Sequence, residues 1–280
     1  MAARYSAVMV SPRARLVDLS APLSNATSDF EPNPHRITYV DHAQAAGQAR
    51  DLLNLPAAAV DAVLARGHVW SVENVTLSTH SGTHVDAPYH YGPRMADGSA
   101  PLTIDQVPLE WCWGRGVRLD FRHLPAGAGI TAADVQGALA VAGHTLEAGD
   151  VVLTLTGASA HFQSAGYEQR HAGYTREGLA WLVDRGVRLI GIDAWGIDRP
   201  FGPLIQDAVA GRAEFWEAHF YGLERPYLQI EKLCNLEALP GTGFTVMAFP
   251  VKVEGASAGW ARVVAFVEDG EEGPAAAPRG

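Results

Sequence analysis

Short apolar runs rich in β-branched residues recur along the whole chain, at residues 15–19, 68–79, 116–121, 150–156, 187–193, 227–233, 244–253 and 262–267. Most stop near Gly, Pro or Asp, as strands do. Between several of them lie helical patterns, at 43–53, 56–65, 131–142 and 175–185. Thr131 and Thr175 stand where an N-cap hydroxyl serves the exposed amides of a first turn. Such alternation predicts an α/β chain with a mixed sheet and flanking helices, in a single domain over residues 1–269. The Pro/Gly-rich tail at 270–280 is expected to be disordered.

Within this framework residues 74–91 read NVTLSTHSGTHVDAPYHY, with three His and one Asp between His80 and His90. Gly82 and Pro88 bracket the stretch and argue against a helix through it, so His84 and Asp86, two apart, face the same way in an extended segment. Imidazoles with one carboxylate are the ligand set of Zn²⁺ or a similar divalent ion that keeps an open position. Such an ion brings the pKa of bound water down to about 7, which makes a metal-bound hydroxide available for hydrolysis at neutral pH. A nearby His outside the ligand set suits proton transfer, and His90 is the candidate.

HSGTHVDAPYH at 80–90 resembles the HxGTHxDxPxH signature of the cyclase-type metal hydrolases, which include bacterial kynurenine formamidase and isatin hydrolase. Similarity extends beyond that loop: Val17-Asp18-Leu19-Ser20 looks like the family's opening strand, Gly149–Leu153 with Thr156-Gly157 like its central one, and Gly191-Ile192-Asp193 like a later strand end. The resemblance implies the swivelling β/α-type domain of that family. It implies that His80, His84 and Asp86 bind one ion, that Asp86 and Glu231 bridge to a second completed by His219, and that His90 is the acid/base. One or two ions, Zn²⁺ or Mn²⁺, are compatible with it. Bacterial kynurenine formamidases look shorter than this chain, which adds a helical stretch at 41–66. The segment after Ser20 also lacks the tryptophan that those enzymes place against substrate. Both differences argue against N-formylkynurenine as the substrate. Isatin hydrolases carry Gln at the position matching Glu231.

The expected activity is therefore hydrolysis of a cyclic or aryl amide, or a related carbonyl compound. A metal-dependent cyclase or lyase of aromatic polyketide or other secondary metabolism is the alternative within the family, and a catalytically silent metal-binding protein is the alternative outside it. No substrate-binding residue is assigned. Trp195 and Phe201 are read as substrate contacts or as interface residues, and Trp111 and Trp113 as core residues at strand spacing. His161 and His171 are read as solvated loop residues. Gly255-Ala256-Ser257-Ala258-Gly259 matches G-x-S-x-G, but a strand pattern follows it and no His comes after it, so it is read as a hairpin turn.

A net charge of −10 argues against nucleic acid as a partner. Two cysteines, Cys112 and Cys234, are too few for a disulfide framework or a four-thiolate zinc site. Neither a signal peptide nor a membrane span is apparent. A cytoplasmic homo-oligomer, dimer or tetramer, acting on a small molecule is expected.

Overall fold

The computed structural model describes residues 14–31 and 33–268; the tail from residue 270 lies outside them. Four runs from the middle of the chain, Trp113–Asp120, Val151–Leu155, Leu189–Ile192 and Leu228–Glu231, lie side by side in parallel. Parallel neighbours require crossovers, and the helices Ala132–Ala142 and Arg176–Val183 lie on the first two. Antiparallel strands extend both edges. Phe244–Met247, Val264–Val267 and Arg15–Asp18 follow on one side, and His84–Asp86 and Ala258–Trp260 on the other, giving a mixed sheet of nine strands among the described residues. This is the α/β architecture expected from the sequence.

Burial on both faces explains why the central strands read as continuous apolar runs. Val117, Leu119, Val152 and Ile190 pack with Val135, Leu139, Leu179 and Leu182 of the two helices. Leu153, Leu155, Ile230, Val85 and Val246 form a second core cluster. Each such side chain contributes about 1.5–3 kcal/mol on burial. Both helix caps form as expected: Thr131 and Asp134 make a reciprocal capping box, and the Thr175 hydroxyl accepts from Gly178 N.

Residues Leu23–Ser78 gather into a separate compact unit. In it the strands Arg36–Val40 and Val72–Thr76 pair antiparallel, and the helices His42–Leu52 and Ala57–Val63 follow the first strand. Asp41 caps the first helix through a capping box with Gln44.

Several local expectations are corrected. The strand read over 244–253 ends at Met247, three residues before Pro250. Trp111 closes a 3-10 turn, Leu109–Trp111, so Trp111 and Trp113 do not share one strand. His171 is buried, its Nε2 3.0 Å from the carbonyl of Asp198. Phe201 opens a helix, Phe201–Val209, masked in the sequence by Gly202 and Pro203. A proline in a first helical turn removes an N–H that has no intrahelical partner anyway.

Candidate metal centre

The site is built by strand register. His84–Asp86 pairs antiparallel with Leu228–Glu231, setting His84 opposite Glu231 and Asp86 opposite Gln229. Side chains two apart share a sheet face, so these four project together while Val85 and Ile230 turn into the core. His80 lies in the turn before the strand, and Gly82 adopts φ 64°, a left-handed conformation that glycine takes without a Cβ penalty.

Two contacts tie this turn to Lys232. Its ammonium donates to the carbonyl of His80 at 2.9 Å, and its own carbonyl accepts from the Thr83 hydroxyl at 2.7 Å. His84 places Nδ1 2.8 Å from the carbonyl of Gly82. Donation there leaves the Nε2 lone pair facing the site.

His80 Nδ1 and His84 Nε2 lie 2.9 and 3.2 Å from Asp86 Oδ1, and Glu231 Oε2 lies 3.6 Å from His84 Nε2. Despite this crowding, His84 Nε2 and Asp86 Oδ1 are buried without a hydrogen-bond partner. An unsatisfied buried polar atom costs about 1–3 kcal/mol, and more if charged. A four-coordinate ion with bonds of about 2.0–2.2 Å spaces its ligand atoms by roughly 3.3–3.6 Å, close to the separations found here. The donors therefore fit a divalent ion.

The two carboxylates respond oppositely to burial. Burial alone would raise Asp86, but the imidazoles of His84, His90 and His80 hold it well below the ordinary carboxylate range. Glu231 is pushed well above it, by burial and then by the charge of Asp86. Its Oε1 accepts from Ile197 N at 3.2 Å.

His219 enters from the short helix Glu217–Tyr221. Asp198 accepts from the backbone N–H groups of Ala218 and His219, capping that helix, and takes His219 Nδ1 at 2.5 Å. This arrangement turns Nε2 inward, toward Glu231 Oε1 at 3.8 Å. Trp216, left-handed at φ 59°, stacks on the His219 ring at 4.0 Å.

His90 sits on the one-turn helix Pro88–Tyr91, with Pro88 at its start. Its ring lies 4.2 Å from that of His80, 5.3 Å from Trp216 and 5.5 Å from His219. Asp86, His90 and His219 form a second group of potential donors, so His90 borders the ligand set rather than standing apart from it. Burial lowers its pKa to about 4; the charge of Asp86 opposes this, and the neighbouring imidazoles add to it.

Every site residue singled out in the sequence (His80, His84, Asp86, His90, His219 and Glu231) is thus brought into one cluster. Three further residues had not been assigned to it. Asp198 orients His219. Gln229 lies fully buried between Asp86, His219 and Glu231. Ser257, read as a turn residue, places Oγ 3.0 Å from His80 Nε2. The alternation of Gln229 with Glu231 was the available signal for the second; Asp198 carried none. Trp195 meets Phe201 edge-on at 5.4 Å, with the Lys232 ammonium 5.9 Å from its ring.

Kynurenine formamidase of Maricaulis maris is 28% identical to this chain over 220 residues, covering 75% of the chain and 91% of that protein. Isatin hydrolase A from Ralstonia solanacearum superposes with a TM-score of 0.70 at 25% identity, covering 91% of this chain and 92% of its own. An isatin hydrolase bound to the product analogue thioisatinate also superposes at 0.70, with 20% identity and the same coverage. The family profile described as "Putative cyclase" matches residues 17–199, well over half of the chain, and the chain belongs to that family.

Proposed function

We propose that this chain is a metal-dependent hydrolase that cleaves the C–N bond of a cyclic or aryl amide. One observation carries the reading: His84 Nε2 and Asp86 Oδ1, both buried, have no hydrogen-bond partner and converge with His80 Nδ1 and Glu231 Oε2. These four residues would hold Zn²⁺ or Mn²⁺, and His219 is the remaining donor on the far side of the two carboxylates. The bound ion supplies acidification of water and polarisation of a carbonyl. His90, neutral at pH 7, accepts the proton released by the attacking water and delivers it to the leaving nitrogen as the C–O bond forms and the C–N bond breaks. The similarity to kynurenine formamidase and isatin hydrolase supports an aryl amide substrate.

Ser257 favours a second reading. Ser257 Oγ, His80 and Asp86 Oδ1 follow the order of a serine-hydrolase triad at 3.0 and 2.9 Å. Against it, Asp86 Oδ1 accepts no hydrogen bond, and a strand, Ala258–Trp260, follows Ser257 instead of a helix.

The same proposal has residues 1–269 acting as one cytoplasmic hydrolase domain on a small molecule. Among the described residues no helix is long and apolar enough to cross a membrane. Exposed Tyr39, Leu52, Leu53, Trp70, Val72 and Val75 on the smaller unit support a homo-oligomer.

The test is turnover of N-formyl aryl amines, isatin, cyclic imides and aromatic polyketide precursors, with product analysis. Hydrolysis of an amide that stops on chelation and returns with Zn²⁺ or Mn²⁺ is expected. Less than about a tenth of an equivalent of metal after incubation with both ions refutes the reading; ring-closed products instead of hydrolysis establish the cyclase alternative.

A further inference from the structure

Asp86 and Glu231 each divide their oxygens between two directions. Asp86 Oδ1 and Glu231 Oε2 face the His84 imidazole, whereas Asp86 Oδ2 and Glu231 Oε1 face the side-chain amide of Gln229. Gln229 Nε2 lies 2.9 Å from Asp86 Oδ2, 3.2 Å from Glu231 Oε1 and 2.6 Å from His219 Nε2. All three can accept, and the two N–H groups of the amide are shared among them. The carboxylate oxygens accept by nature, and His219 carries its proton on Nδ1, against the Asp198 carboxylate.

From behind, the Tyr227 hydroxyl, whose one proton is shared between Gln229 Oε1 at 2.9 Å and the carbonyl of Ala218 at 3.2 Å, supports this orientation of the amide. The amide is completely buried, on a strand paired on both sides. A side chain so placed does not swing aside without leaving buried acceptors unpaired.

Asp86 Oδ2, Glu231 Oε1 and His219 Nε2 are a carboxylate–carboxylate–imidazole donor group suited to a second divalent ion. An ion bonded to all three would need the lone pairs at which the Gln229 amide nitrogen is directed, and an amide nitrogen has no lone pair to offer as a ligand. We propose that the Gln229 amide permanently replaces a second cation, so that the centre holds one ion, on the side of His80, His84, Asp86 and Glu231, with His219 serving as a hydrogen-bond acceptor. The inference rests on the metal-hydrolase reading.

The experiment compares the full-length wild type with Gln229→Glu and Gln229→Ala. Each is saturated with Mn²⁺, freed of excess ion, and analysed for metal per chain and by electron paramagnetic resonance. The wild type is expected to hold one ion with the hyperfine pattern of an isolated Mn²⁺. Gln229→Glu replaces the donor with a ligand and should hold two, with the spectrum of an exchange-coupled pair; Gln229→Ala should gain the second ion at lower affinity.

Two ions in the wild type, or one ion in the folded variants, overturns the inference. If neither variant folds, the wild-type stoichiometry and spectrum decide alone. No ion in the wild type removes the inference and the metal-hydrolase reading together. One ion without turnover of any amide supports the inference and removes only the hydrolase reading.

Discussion

Ser257→Ala isolates the grip on His80 from the ligands themselves. His80 directs Nδ1 toward Asp86 Oδ1 and sets Nε2 3.0 Å from the Ser257 hydroxyl. With Nδ1 on the ion, Nε2 carries the proton and donates to Ser257, fixing both tautomer and ring orientation. The substitution removes only this hydroxyl, because the contact from Ala87 N goes to the Ser257 backbone carbonyl and survives. Loss of such an outer partner typically weakens metal binding about 10–100-fold, or about 1.4–2.7 kcal/mol. The His80 side chain is 27% exposed, so water can replace the hydroxyl and the expected loss is nearer the lower end, about tenfold. Competition against a chelating dye measures it, with Ser257→Thr expected to restore affinity. An unchanged dissociation constant in Ser257→Ala would refute the orienting role. Abolished turnover at unchanged metal affinity would go further and install Ser257 as the nucleophile.

Three other outcomes are expected. Glu231→Ala loses metal and turnover together while Cys234→Ala loses neither, by metal analysis and assay; full occupancy in Glu231→Ala removes Glu231 from the ligand set. His90→Ala keeps its metal while kcat falls about 10²–10⁴-fold, whereas His84→Ala loses metal; equal metal loss in both makes His90 a ligand. Burial lowers the pKa of His171 from 6.5 to about 4 in the folded protein, so the unfolded chain binds more protons between these values and stability falls as pH drops through that window. Relative to pH 7, His171 contributes up to about 3 kcal/mol of acid destabilisation. Denaturant unfolding at pH 7 and 4.5 should show a smaller loss in His171→Gln, and equal losses would mean that His171 titrates normally when folded.

The sequence disclosed the parts of this molecule whose cause is local. Alternating runs gave the mixed sheet, and Thr131 and Thr175 marked helix starts because a cap is satisfied within three residues. His84 and Asp86 were legible because two-residue spacing on an extended segment is enough to place side chains on one face, and His80 because it stands in the turn just before that segment. Gln229 meets Asp86 across 143 residues and Ser257 meets His80 across 177, and no spacing rule reaches that far. Asp198 was silent for the same reason: its task is set by a helix beginning some twenty residues later. His171 was misread because a histidine in a Gly- and Ser-rich loop looks solvated, and only the fold brings the carbonyl of Asp198 to it.

The pairing between His84–Asp86 and Leu228–Glu231 also determines how the centre tolerates change. A shift of one residue in that register would turn Val85 and Ile230 into the site and drive Asp86 and Glu231 toward the apolar core, where an ion has no access. Register is secured from three directions. Ala258–Trp260 pairs along the other edge of the short strand, with Trp260 opposite His84. Lys232, left-handed at φ 59°, ends its own strand and clamps the turn that carries His80 and Thr83. Leu189–Ile192 fixes Leu228–Glu231 from the core side of the sheet. The buried carboxylates supply no stability without an ion, so the pairing of three strands must hold them in place before metal arrives. A preformed centre of this kind loses little ordering entropy on binding, and its strength then depends on the outer partners Ser257 and Gln229 as much as on the ligands.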